Sequence, residues 1–149
     1  FTALPITPSN KDFVLLTLSQ PGSYLHSLVI TAAHDNTEVE IELPETIPKS
    51  SFSFGAKTVE ADKSTKVTMR QHDTLYAYSN SSLTGIKLRA TMEISVLVKT
   101  CRFSEKGLAR CSVEHMFPTP SWGSQFIVSP FCGGSEQSTS FAIIGEIFL

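Results

Sequence analysis

Four histidines, three cysteines and a single tryptophan are the residues of this 149-residue chain whose chemistry could reach beyond packing. His34 and His72 are each followed by an aspartate, Asp35 and Asp73, the types that would serve a serine nucleophile as base and orienter. Neighbours on a strand point to opposite faces, so neither pair is built to act together. Gly123-Ser124 lacks the flanking pattern of a nucleophile elbow. His26, His34, His72 and His115 therefore read as surface turn residues. No catalytic residue is assigned, and the chain reads as a non-enzyme.

Metal binding fares no better. Cys101, Cys111, His115 and Cys132 hold the right atoms for zinc, but nine residues separate the first two cysteines, where a structural knuckle has two to four. Glu38, Glu40 and Glu42 would spread along one exposed strand face, with no looping backbone to converge them on calcium. No metal or other cofactor is expected. Cys101 and Cys111 instead flank a loop with Lys106-Gly107 near its middle, which suits a disulfide across the base of a hairpin. Cys132 is then free or paired outside the domain, and the alternative is three reduced cysteines. Asn80-Ser81-Ser82 is an acceptor sequence for N-glycosylation in a polar, turn-like patch. A disulfide and a glycan would both place the chain outside the cell.

Trp122 stands in the proline-stiffened segment Pro118-Thr119-Pro120-Ser121-Trp122-Gly123. It either plugs the end of the fold or stacks on a sugar or in a partner's pocket. Phe117 and Phe131 bring further apolar surface to the same end, so these three are the candidate partner-binding residues.

The elements that must carry these residues are strands. Thr37 to Leu43 alternates strictly, with Val39, Ile41 and Leu43 on one face and three glutamates on the other. Leu28-Val29-Ile30-Thr31 precedes it across the His34-Asp35-Asn36 turn and predicts a hairpin. Pro44 and Pro48 end the run by removing backbone donors. Further β-rich runs cover 66–69, 74–78, 85–89, 93–98 and 125–128, about every 8–12 residues, with no helical stretch between them. This is an all-β, antiparallel sandwich, with a jelly-roll arrangement among its forms. An echo joins the two ends. Phe13-Val14 and Leu28-Val29-Ile30 recur at the same offset as Phe126-Ile127 and Phe141-Ala142-Ile143. Residues 1–124 thus read as one repeat, and 125–149 as the opening hairpin of a second or as a final, or exchanged, strand of the first.

Composition narrows the function. Hydrophobic residues make up 41% and charged residues 17%, as in a folded domain of a size that buries roughly 68–70% of its unfolded surface. Net charge is −2 and the lysines and arginines are scattered, which argues against nucleic acid and anionic membranes as partners. No apolar run approaches the roughly 20 residues of a membrane span. The start at Phe1 reads as a processed or trimmed product.

The order of segments carries a resemblance. Phe13-Val14, Leu28-Val29-Ile30-Thr31, Asp35-Asn36-Thr37, Val39-Glu40-Ile41-Glu42-Leu43-Pro44, Ile94-Ser95-Val96-Leu97-Val98 and the stretch from Phe117 to Val128 together resemble the N-terminal domain family of the IgG Fc-binding protein. That family occurs in secreted, mucus-type proteins beside von Willebrand-type modules. The likeness runs from Phe13 to Ile144 and is most specific from Pro120 to Val128; it does not extend to the Cys101–Cys111 loop. It implies a secreted, non-catalytic recognition or adhesion module of mucosal or innate-immune type, with a protein or glycan ligand. The competing expectation is a self-assembly unit that forms homo-oligomers through its C-terminal strands.

Overall fold

Strands that are apolar on alternate residues must each bury one face against a second layer. The computed structural model describes residues 3–17, 24–45, 53–54, 57–58, 64–103 and 109–125. In them lie ten strands: β1 (Asp12–Val14), β2 (Tyr24–Ala32), β3 (Thr37–Glu42), β4 (Ser53–Phe54), β5 (Lys57–Thr58), β6 (Ser64–Met69), β7 (Thr74–Ser79), β8 (Lys87–Ala90), β9 (Ile94–Phe103) and β10 (Ala109–His115). One 3-10 turn follows at Thr119–Ser121, and among the described residues there is no α-helix.

Pairing is nested. β1 pairs with β8, β2 with β7, β3 with β6 and β4 with β5, all antiparallel. A chain doubled back in this way and rolled over itself is a jelly roll. Its two sheets run β1-β8-β3-β6 and β2-β7-β4-β5, and the second is lengthened at β2 by β9 and β10 to six strands. The all-β antiparallel sandwich expected from the alternation is the fold observed. On β3, Thr37, Val39 and Ile41 are fully buried, while Glu38, Glu40 and Glu42 face outward. Facing them across the core are Leu28, Ile30 and Ala32 of β2 and Ile94, Val96 and Val98 of β9.

The hairpin expected between 28–31 and 37–43 does not form, because β2 and β3 belong to different sheets. The amides of Ala32 and Ala33 donate instead to the carbonyls of Asp73 and Glu93, at 3.1 and 3.0 Å. Residues 33–36 are an arch that steps from one layer to the other. Asn36 takes the left-handed conformation (φ 56°), and the Thr37 hydroxyl donates to the His34 carbonyl at 2.7 Å. A turn of this chemistry serves a hairpin or an arch equally. Only the arch sets the apolar faces of β2 and β3 against each other, so burial decides.

Likewise β1 and β2, the first copy of the echo, lie in separate sheets and are not a hairpin. Its second copy, with Phe131, Cys132 and nearly all of 125–149, lies outside the described residues. One glycine is required by geometry: Gly85 sits at φ +91°, and a Cβ there would come within 3.3 Å of the Pro44 ring.

Ile41→Asp is expected to cost about 4 kcal/mol or more, because it strands a charge in the core. The neighbouring Glu40→Gln is expected to stay within about 0.5 kcal/mol. Chemical denaturation of the two variants checks both.

Candidate functional site

The two outer faces of the sandwich differ in chemistry. On the four-stranded sheet, Glu40 stands opposite both Lys66 and Arg89, and Asp12 opposite Arg89. Lys66 Nζ lies 3.0 Å from Glu38, and Lys87 Nζ 3.9 Å from Glu42. The hydrogen bond from Lys66 to Glu38, then the charges of Glu38 and Glu40, raise the lysine pKa. All these groups are solvated, so the face is soluble surface with little energy in its pairs.

On the six-stranded sheet the outward set reads Thr74, Tyr76 and Tyr78 on β7, then Ser27, Val29 and Thr31 on β2. It continues with Ser95, Leu97, Lys99 and Cys101 on β9 and Cys111, Val113 and His115 on β10. Tyr76 and Tyr78 are each 49% exposed and Val113 37%, while Val29 and Leu97 are half-buried between them. Tyr76 donates its hydroxyl to Ser27 Oγ at 2.8 Å, and its ring centroid lies 6.5 Å from that of Tyr78. Ser27 points outward yet is only 2% exposed, between neighbours that include these rings. A contiguous outer surface of two tyrosines and three aliphatic side chains, flanked by Lys99, is unusual for a solvated sheet face.

Each end of this face is fastened. At one end Cys101 and Cys111, directly opposite in the register, form a disulfide. At the other, His115 Nδ1 accepts the Leu4 amide at 2.9 Å, and its Nε2 lies 3.1 Å from Ser95 Oγ. Nδ1 must be unprotonated to accept, so Nε2 carries the hydrogen and donates to the serine. His26 lies on the core side of β2, 1% exposed, with Nδ1 3.1 Å from Thr100 Oγ1 and its ring stacked on Tyr24. These two histidines are therefore not the surface turn residues expected; the strand alternation turns His26 inward beside Leu28. Burial lowers the pKa of both.

His34 and His72 do lie in turns, His72 with φ 65°. Their aspartates orient backbone, not imidazole: Asp35 accepts the Gln71 amide at 3.0 Å and Asp73 the Arg70 amide at 2.9 Å. His34 Nε2 instead meets Glu93 at 3.1 Å, with Lys11 3.7 Å from the same carboxylate. A hydrogen bond from its own backbone, then the neighbouring Lys11 and His34, hold Glu93 below the usual carboxylate range.

Phe117 and Trp122 sit elsewhere. Past β10 the Met116 amide bonds the Val96 carbonyl at 2.9 Å, and the 3-10 turn then packs against β1. Phe117 is 56% exposed, and Trp122 is half-buried with Nε1 donating to the Phe117 carbonyl at 3.4 Å. They close the β1 side of the sandwich, away from Tyr76 and Tyr78 on the other sheet. Asn80 is exposed just past β7. The tyrosine face was missed in the sequence because Thr74 to Tyr78 offers two apolar sets. Leu75 and Ala77 face in and the larger tyrosines face out, and the hydroxyls were the only sign of it.

The family model described as IgGFc binding protein matches residues 1–146. The chain belongs to that family. The human IgGFc-binding protein is 22% identical over 145 residues, covering 95% of this chain but 3% of that much longer protein. Among solved structures, the crystal structure of Thermotoga maritima 1070 aligns with 72% of this chain and 92% of its own, at 9% identity and a TM-score of 0.43. Family membership fits a binding module.

Two outcomes are expected of the fastened face. Cys101→Ser with Cys111→Ser should lose about 2–3 kcal/mol of stability, the loop-closure contribution for this separation, read by denaturation with and without reductant. With folded-state pKa values depressed at His26 and His115, the neutral rings stabilise the fold fully above about pH 6.5, the unfolded value. That contribution is lost as the pH falls through the lowered folded values. Melting temperature should therefore drop between about pH 7.5 and about pH 5, and drop less in His26→Gln with His115→Gln.

Proposed function

We propose that this chain is an extracellular, non-catalytic recognition module that binds a protein partner through the outer face of its six-stranded sheet. The observation that carries the reading is the contrast between the two outer faces. The charged one is self-neutralising, while the other presents Tyr76, Tyr78, Val29, Leu97 and Val113 around a lysine. Tyrosines that combine a broad apolar ring with a hydroxyl are common anchors of protein interfaces. An extracellular setting is supported by the Cys101–Cys111 bridge and by the exposed Asn80 acceptor sequence. A mucosal or innate-immune role is part of this proposal, supported by a family whose human relative is named IgGFc-binding protein.

Phe117 and Trp122 are proposed as a second, smaller contact on the β1 side, where Phe131 lies outside the described residues. Self-association through 125–149 is the alternative, supported by the apolar run from Phe141 to Leu149 alone.

Immunoglobulin Fc and a panel of glycans, each immobilised, are the first probes. With Fc, Tyr76→Ser with Tyr78→Ser is expected to weaken binding at least about tenfold, two lost anchors' worth, and Glu38→Lys to leave it unchanged. Binding that survives the double tyrosine change, or that appears only on the glycan panel, would refute the protein-binding face. A size in solution that grows with concentration would favour self-assembly.

A further inference from the structure

β7 ends at Ser79, and Asn80 lies in the bend that follows it. Tyr76 and Tyr78 are exposed, Ala77 and Ser79 are buried, and Asn80 is exposed again two residues past Tyr78. Ser79 Oγ accepts the Ser81 amide at 2.9 Å, a local bond that holds the bend in which Asn80 is exposed. Asn80-Ser81-Ser82 is the acceptor triplet, and an exposed aromatic ring, Tyr78, stands two positions before the asparagine. We infer that Asn80 carries an N-linked glycan whose first N-acetylglucosamine lies against the ring of Tyr78.

The reaction is a glycosyl transfer from a polyprenyl-diphosphate-linked oligosaccharide. The Asn80 amide nitrogen forms a bond to C1 of the sugar as the C1–O bond breaks. The diphosphate leaves with that electron pair, and the amide proton passes to a carboxylate of the transferase. The Ser82 hydroxyl must be free to engage the transferase. In the fold it is not: Ser82 Oγ donates to Thr84 Oγ1 at 3.0 Å, lies 2.8 Å from Thr17 Oγ1 and accepts the Thr84 amide at 3.2 Å. Transfer therefore precedes closure of this hydroxyl cluster, during passage through the membrane. The sugar then meets a ring that is half exposed, and the apolar face of a pyranose covers an aromatic face favourably. The glycan borders the proposed binding face at the outer end of β7, covering Tyr78 and leaving Tyr76, Val29, Leu97 and Val113 to a partner. It rests on the extracellular reading proposed above and shares Tyr78 with the binding face, but Asn80→Gln removes the glycan without touching that face, so either can fail alone.

The test is secretion of the chain from cells with an N-glycosylating pathway, followed by mass spectrometry of the Asn80 peptide before and after N-glycosidase. Wild type should be modified, and Asn80→Gln and Ser82→Ala should not be. The glycosylated protein should melt about 2–4 °C above its enzymatically deglycosylated form. That gap should persist in Tyr78→Phe and vanish in Tyr78→Ala; if the alanine variant is not secreted, Tyr78→Thr gives the same reading with a better strand former. Secreted protein with the Cys101–Cys111 bridge formed and Asn80 bare would overturn the site. A glycan whose stabilisation is unchanged without the Tyr78 ring would overturn the stacking.

Discussion

Three crossings between the sheets converge at one end of the sandwich, and the rest of the architecture depends on their being tied to one another. The arch at 33–36, the turn at 70–73 and the step at 91–93 each carry the chain from one layer to the other. The Ala32 carbonyl accepts the His72 amide and the Ala32 amide donates to Asp73, while Ala33 donates to Glu93 and Thr91 to Glu38. The Gln71 side chain adds a bond to the Ala33 carbonyl at 3.1 Å. A backbone polar group left unpaired where a strand ends inside the fold is costly. The arches satisfy one another's, and in doing so set the relative register of two sheets that share no ladder bonds. The left-handed Asn36 and His72 are the local strain that this tie holds in place.

With register set at one end, the distribution of side chains over the two outer faces follows and is free to serve different ends. Opposite charges across β8, β3 and β6 keep one face soluble at almost no energetic consequence. The other face shows what a sheet does when solubility does not govern it alone. Ser27, small and polar, sits beside the Tyr76 hydroxyl, and the aliphatic side chains flank the rings. Such a surface costs solubility in a free module, and the binding proposed for it would offset that cost.

How much of this could be read beforehand varies with the physics involved. The β3 strand was plain, since a glutamate at every second position tolerates only one orientation. The sandwich class followed, as did the Cys101–Cys111 bridge, because ten residues of separation around a glycine loop suit a hairpin base. The partner of each strand was not legible. Nested pairing joins β1 to β8 and β2 to β7, residues tens of positions apart, and no local pattern records it. His26 deceived for a related reason: a histidine between Leu25 and Ser27 reads as a surface turn residue until the register sets it beside Thr100. The tyrosine face was hidden because both sets of β7 are apolar.

The extension of the jelly roll by β9 and β10 shows how a strand with little to bury is kept in place. Ala109 to Glu114 are all exposed, so β10 gains little from the core and rests on its ladder with β9. Ladder bonds alone, exchangeable with water, contribute only about 0.5–1.5 kcal/mol each. The strand is therefore anchored at both ends. Beside its start stands the disulfide; at its finish stand His115, held by the Leu4 amide and Ser95, and Met116, bonded to Val96 and packed on the core. Between these anchors Val113 is fixed opposite Lys99, completing the margin of the tyrosine face. An edge strand fixed by covalent and polar ends rather than by burial can keep its side chains outward without fraying, which is what a recognition surface on the broad face of a sheet requires.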